Sequence, residues 1–475
     1  MVFNSFEYLL FLPIAFFLYW FVFNKRITSQ NLLLLILSYI FYGWWDWRFL
    51  SLIAFSSFVD YHAGIYIYRA KRDQIKKLWL WLSILVNLGF LGVFKYYNFF
   101  AESFAGLFLN FGYEVDALTL DIILPVGISF YTFQTMSYTI DIYRRRLVPT
   151  TNMLHFFTFV SFFPQLVAGP IERATNLLPQ FHKKRFFDYA FAAEGLRQIL
   201  WGLFKKVVIA DNSAIIVNQV FENYHELGPV DLIVGAVFFT FQIYGDFSGY
   251  SDIAIGTAKL FGFKLMQNFA FPYFSRDISE FWRRWHISLS TWFRDYLYIP
   301  LGGSKGGKWM TLRNIFIIFI VSGLWHGANW TFVVWGGLNA LYMVPLIIFN
   351  LNRYHTSDIS KHQLLPNISQ LFNIILTFVL TCLAFIFFRS LSIKDAWEYL
   401  SGIFIIEGWA YPTVDIRILV FVFFMLIVEW FNRDRSFGLS ISNLPIIARW
   451  LIYISILMIL ILFGKSSDSF IYFQF

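Results

Sequence analysis

Two histidines carry the chemistry this chain has to offer: His286, in FWRRWHISLSTWF, and His326, in SGLWHGANW. Each directly follows a tryptophan, and each lies in or beside a stretch apolar enough for a membrane. An imidazole titrates near neutrality and can take a proton as a general base. Ionisable groups at membrane depth are expensive, which makes them functional candidates by default. His326 closes an uncharged run, 315–325, and is flanked by Gly323 and Gly327. Glycines there admit close backbone approach and leave room for a ligand. Trp325 would then line the same space. The competing reading is a satisfied core histidine between helices. Around His286, helical spacing predicts one face holding Ser279, Arg283, His286 and Ser290, with Glu280 and Arg284 as an i, i+4 pair. The competing reading is an interfacial helix, anchored by Trp282, Trp285 and Trp292, whose histidine faces headgroups.

Further polar groups sit where apolar ones would be expected. The stretch IYGDFSGYSDIAIG places Gly245, Gly249, Asp252 and Gly256 at i, i+4, i+7 and i+11, one helix face. Small residues at that spacing let helices approach closely. Asp252 points into this contact and Asp246 elsewhere. A membrane-centre aspartate costs roughly 2.5–3.5 kcal/mol on insertion scales, so each needs a partner or a cavity, or else bonds at a helix end. Between the histidines, GGSKGGK matches the spacing of a phosphate-binding P-loop, but Trp309 replaces the required Ser or Thr and no strand precedes it. What remains is a basic loop with Lys305, Lys308 and Arg313, suited to headgroups or to a cofactor's phosphates. No metal-ligand spacing is present, and Cys382, the single cysteine, reads as a packed core residue.

The elements that position these groups are membrane helices. Of the 475 residues, 58% are hydrophobic and only 14% charged, against about a quarter charged in soluble domains. Apolar runs recur at about 6–23, 32–45, 50–68, 78–94 and 122–140, then 191–221, 230–263, 315–324, 330–349, 371–388, 418–430 and 446–463. The fold class expected is an all-α polytopic integral membrane protein with about 10–12 transmembrane helices plus re-entrant segments around a central cavity. The stretch 155–169 is apolar but short and basic on both sides, so it is expected to enter and return without crossing. The net charge of +8 lies in short clusters between apolar runs, which fits the positive-inside rule better than nucleic acid binding. These clusters put both termini outside the cytoplasm. Residues 1–475 read as a single membrane-embedded domain, closed by the aromatic motif FIYFQF at 470–475.

FWRRWHISLSTWFRDYLYIPLGG, GLWHGANW, AGPIER and IYGDFSGYSDIAIG together resemble the membrane-bound O-acyltransferase (MBOAT) family, and the bacterial alginate, peptidoglycan and cellulose O-acetylation branch above all. The resemblance implies a ring of helices around a cavity reached by the acyl donor from the cytoplasm and by the acceptor from outside. It puts the family's invariant histidine at His326 and the second active-site position at His286. It also implies a related system in which a small partner ends in F-x-Y-x-x-F, with the tyrosine as acyl acceptor; Phe470, Tyr472 and Phe475 match that pattern here. The function expected is transfer of acetyl from cytoplasmic acetyl-CoA, as donor substrate, to an extracytoplasmic polysaccharide at the bacterial inner membrane. A periplasmic SGNH-hydrolase-like acetyltransferase would be the partner. His326 would be the base and His286 would orient or stabilise the thioester carbonyl. Tyr472 would be the first acceptor, with Arg283, Arg284, Lys305 and Lys308 near the donor. D-alanyl transfer to teichoic acid, and a lipid or acyl transporter without bond chemistry, are the alternatives.

Overall fold

The computed structural model describes residues 1–167, 169–355, 364–405 and 409–464, and among them only helices, turns and loops occur. Seven helical runs are long and apolar enough to cross a membrane, and Phe6–Val22 and Leu419–Phe431 are shorter apolar helices. Two of the seven, Ile27–Arg69 and Asp73–Asn110, have 43 and 38 residues. At 1.5 Å per residue each is about twice as long as the roughly 30 Å hydrocarbon core. The chain is a multi-pass helical membrane protein. It forms two compact units, 1–195 with 257–266 and 196–256 with 267–475.

The first unit begins with α1 (Phe6–Phe17), α2 (Ile27–Asp46), α3 (Leu50–Arg69), α4 (Asp73–Leu91), α5 (Tyr97–Asn110) and α6 (Ile128–Tyr143). Ser5 caps α1 by accepting the Tyr8 N–H at 3.2 Å. Asp46 ends α2 in an extended conformation and accepts the Arg48 N–H at 2.9 Å, which breaks the long run into α2 and α3. The helix expected over 122–140 starts only at Ile128, because Gly127 holds φ 76° and a Cβ on it would lie 2.7 Å from the Leu166 carbonyl. The core of this unit is partly polar. Asp60 of α3, fully buried, accepts from Ser83 at 2.6 Å and Asn87 at 2.9 Å, both on α4. Asn87 in turn accepts from Ser56 at 2.9 Å and from Thr135 of α6 at 3.0 Å. The stretch 155–169 contains α7 (Met153–Ser161) and the single turn α8 (Phe163–Leu166), followed by α9 (Ala174–Phe181). α7 has nine residues, about 14 Å, too short to cross.

α10 (Tyr189–Leu203) carries the chain out of the first unit. α11 (Asp211–Glu222) follows after a π-helical turn, Phe204–Ala210, and α12 (Pro229–Leu260) runs for 32 residues. Gly245 and Gly249 of α12 pack on that turn and on α10: a Cβ at Gly249 would lie 2.8 Å from the Gly202 carbonyl. This is the close approach read from the small-residue face. Then come α13 (Ile278–Arg284), α14 (Ile287–Phe293), α15 (Gly307–His326), α16 (Trp330–Ile348), α17 (Ile368–Arg389), α18 (Ile393–Ile403), α19 (Leu419–Phe431) and α20 (Ile446–Phe463). α15 and α16 form a tight hairpin, where a Cβ on Gly323 would run into the Phe332 carbonyl. Asn329 starts α16 by accepting the Thr331 N–H at 3.0 Å.

Candidate active site

The predicted site residues that can be placed all fall in the second unit. His326 is the last residue of α15 and is buried. Its ring is boxed by Trp325 at 4.9 Å, Trp335 of α16 at 5.0 Å and Phe388 of α17 at 5.4 Å between centroids. Trp325 also faces His286, whose ring centroid is 5.9 Å away. The two histidines, 40 positions apart in the chain (326 − 286), thus share one tryptophan.

The local structure at His286 departs from the expected single helix. The backbone leaves α13 at Trp285 in an extended conformation and turns left-handed at His286, φ 43° and ψ 55°, before α14 begins. The shared face of Ser279, Arg283, His286 and Ser290 therefore does not exist. The break is held from outside: Ala270 donates its N–H to the Arg284 carbonyl and Ile287 donates its own to the Asn268 carbonyl, both at 2.9 Å. A left-handed non-glycine residue costs about 1–2 kcal/mol, and such strain is concentrated at functional sites. The ring is buried between the spans, with Phe247 of α12 edge-on at 4.6 Å. Desolvation pushes its pKa down to about 3, so the ring is neutral at physiological pH. Its Nδ1 lies 3.0 Å from Asn268 Oδ1, and its buried Nε2 has no hydrogen-bond partner among the described residues.

The aspartates have lysine partners. Lys205 Nζ pairs with Asp252 at 2.6 Å and donates to Ser248 at 2.9 Å. Gln198 also donates to Asp252, at 2.7 Å. Lys206 Nζ pairs with Asp246 at 2.7 Å and with Asp211 at 2.8 Å. All of these charged groups are buried. Both lysines come from the π-helical turn, a distortion that often marks functional segments. The sequence contained the signal, a Lys-Lys pair inside an apolar run, but did not say which aspartate each lysine meets.

The residues expected near a donor divide into two groups. Arg284 donates to Glu280 at 2.7 Å, as the i, i+4 spacing predicts, and Glu280 also holds Arg276 at 2.9 Å. Arg284 is buried in that network at the end of α13. Arg283 instead donates to Ser279 at 2.7 Å and to the His355 carbonyl at 2.7 Å, at the rim of an apolar cavity of about 470 Å³. Trp282, Leu289, Ser290, Phe319 and Ser322 line that cavity. Ser290 is one turn beyond His286 and Ser322 one turn before His326, while neither imidazole is itself in the lining. Lys305 and Lys308 are exposed, and Lys308 donates to the Ile348 carbonyl at 2.7 Å. Tyr472 and the rest of 470–475 lie outside the described residues.

The second unit thus brings together two buried imidazoles, one at the end of α15 and one on a strained turn. Residues 144–390 match the model of the membrane-bound O-acyltransferase family, MBOAT. The chain belongs to that family and is an O-acyltransferase. Its likeness falls in the alginate O-acetylation branch. It is 37% identical over 504 aligned residues, covering all of both chains, to the probable alginate O-acetylase AlgI of Pseudomonas putida. It is 40% identical over 411 residues to the protein of that name from Pseudomonas aeruginosa, covering 86% of this chain and 76% of the relative. It is 35% identical over 427 residues to the peptidoglycan O-acetyltransferase of Helicobacter pylori, covering 84% and 78%. The transport-only alternative gives way to this membership.

Proposed function

We propose that this chain moves an acetyl group from cytoplasmic acetyl-CoA to an extracytoplasmic polysaccharide across the bacterial inner membrane. The observation that carries the reading is the pair of buried imidazoles sharing Trp325, in a chain whose relatives are named as polysaccharide O-acetylating proteins. A hydroxyl oxygen attacks the thioester carbonyl. The new O–C bond forms, the C–S bond breaks, and the hydroxyl proton passes through His326, as general base, to the departing thiolate. Arg283 at the cavity rim, with Lys305 and Lys308 on the basic loop, would meet the phosphates of the donor. The first acceptor is the Tyr472 hydroxyl, a reading that rests on the FIYFQF sequence alone. A tyrosine with pKa near 10 is a weak nucleophile at pH 7 and needs an adjacent base. A periplasmic SGNH-hydrolase-like acetyltransferase would carry the acetyl onward to the polysaccharide. Both termini would lie outside the cytoplasm, following the positive-inside pattern.

The test is incubation of the purified protein with acetyl-CoA, followed by free-thiol release and peptide mapping. Thiol release with acetyl on Tyr472 is expected. Absence of thiol release while a carrier-protein thioester is consumed would overturn the donor assignment. Full turnover by Tyr472→Phe would overturn the relay.

A further inference from the structure

Asn268 has no role in the reading above, yet it is the residue that decides what His286 can do. It is fully buried, and its amide orientation follows from its neighbours. The backbone N–H of Ser288 points at one amide atom of Asn268 at 3.3 Å. A backbone N–H can only donate, so that atom is the carbonyl oxygen. The Ser288 hydroxyl donates to the same oxygen at 2.8 Å. The opposite end of the amide, the NH₂, is used by Ser251 Oγ at 3.0 Å. With the oxygen located, the contact to His286 Nδ1 at 3.0 Å has one solution: Nδ1 carries the hydrogen. In a neutral imidazole the other nitrogen is then a bare lone pair. That nitrogen is Nε2, the buried atom left without a partner among the described residues.

We propose that Asn268 is a positioning residue that holds His286 as the Nδ1–H tautomer, so that Nε2 accepts a hydrogen bond from an O–H or N–H of the substrate. A thioester carbonyl brings no hydrogen and is not the partner of this nitrogen. This changes the role expected of His286 from stabilising the carbonyl to holding a donor group. Two groups near the reacting carbon fit: the attacking hydroxyl, whose one proton would then pass to His286 in place of His326, and the amide N–H of the donor's thiol arm. Asparagine suits the task because it cannot titrate and adds no charge to a buried ring. The identity of the substrate rests on the acyl-transfer reading, whereas the tautomer does not.

The experiment has two readouts on the full chain in detergent. Nitrogen-15 NMR of histidine-labelled protein, assigned by loss of the His286 signals in His286→Asn, should show the proton on Nδ1 and bare Nε2 at pH 7. Asn268→Leu should lose that preference and lower transfer roughly 10- to 100-fold. Asn268→Asp, which still accepts from Nδ1–H, should keep the tautomer and restore part of the rate. A loss confined to kcat assigns the donor group to the attacking hydroxyl, and one confined to KM for acetyl-CoA assigns it to the thiol-arm amide. A wild-type proton on Nε2 overturns the proposal, as does a folded Asn268→Leu with unchanged tautomer and unchanged constants. If Asn268→Leu does not fold, the wild-type and Asn268→Asp spectra decide. A fixed tautomer in a protein that transfers no acetyl would refute the acyl-transfer reading and leave the role of Asn268 standing.

Discussion

Asp60 in the first unit and His286 in the second are both completely buried polar residues, and they are finished differently. Asp60 is surrounded by neutral donors, with Ser83 at 2.6 Å and Asn87 at 2.9 Å, and no oxygen of its carboxyl group is left over. His286 has one nitrogen engaged by Asn268 and the other unused among the described residues. Burying an unsatisfied polar atom costs about 1–3 kcal/mol. Asp60 ties three helices together; His286 keeps one nitrogen that no described residue engages. The Lys205–Asp252 and Lys206–Asp246 pairs stand between these cases, satisfied but by charges, which makes them brittle.

The contrast can be broken at several points. His326→Ala should lower acetyl transfer by about 10²–10⁴-fold, the usual contribution of a general base, while the protein still inserts and runs as a single species. Retained transfer in a CoA-release assay would remove the reactive side of the comparison. Lys205→Met should cost about 3–5 kcal/mol, because it strands a buried Asp252 carboxylate. Thermal unfolding in detergent would show it, and Lys205→Met/Asp252→Leu should recover most of the loss. If the double variant is as unstable as the single one, the lysine acts by something other than pairing. Arg283→Ala should raise KM for acetyl-CoA up to about tenfold, about 1.4 kcal/mol, with kcat held. A fall in kcat alone would instead tie Arg283 to its contacts with Ser279 and the His355 carbonyl. The smallest effect is expected at Asp60→Asn: about 1 kcal/mol of stability and no change in specific activity, since the serine hydroxyls and the Asn87 amide can turn to suit an amide. A loss of transfer in folded Asp60→Asn would erase the distinction between the two regions.

The helical class, the shortness of the helix within 155–169 and the close contact at Gly245 and Gly249 were all legible, because hydropathy and residue size act locally along a helix. So was the Glu280–Arg284 pair, set by helical spacing. The need of Asp246 and Asp252 for partners was also legible, though not the partners, since they come from a turn about 40 positions earlier in the chain. The break at His286 was hidden. Nothing in WRRWHISLS marks a left-handed residue, and it is backbone pairing with 268–270 that imposes it. Asn268 was equally silent: a lone asparagine in KLMQNFAF has no periodicity or spacing that points to a histidine 18 positions on.

The left-handed turn at residue 286 also limits what evolution or an engineer can put there. The position has to satisfy the main chain before it satisfies the ring. Alanine or glutamine would carry the full conformational penalty of that backbone, and a β-branched residue more, so their failure would mix a misfolded turn with lost chemistry. Asparagine is several-fold enriched at such angles. It would inherit the bend almost free of charge and remove only the imidazole, which makes it the natural neighbour of histidine in the mutational landscape of this site.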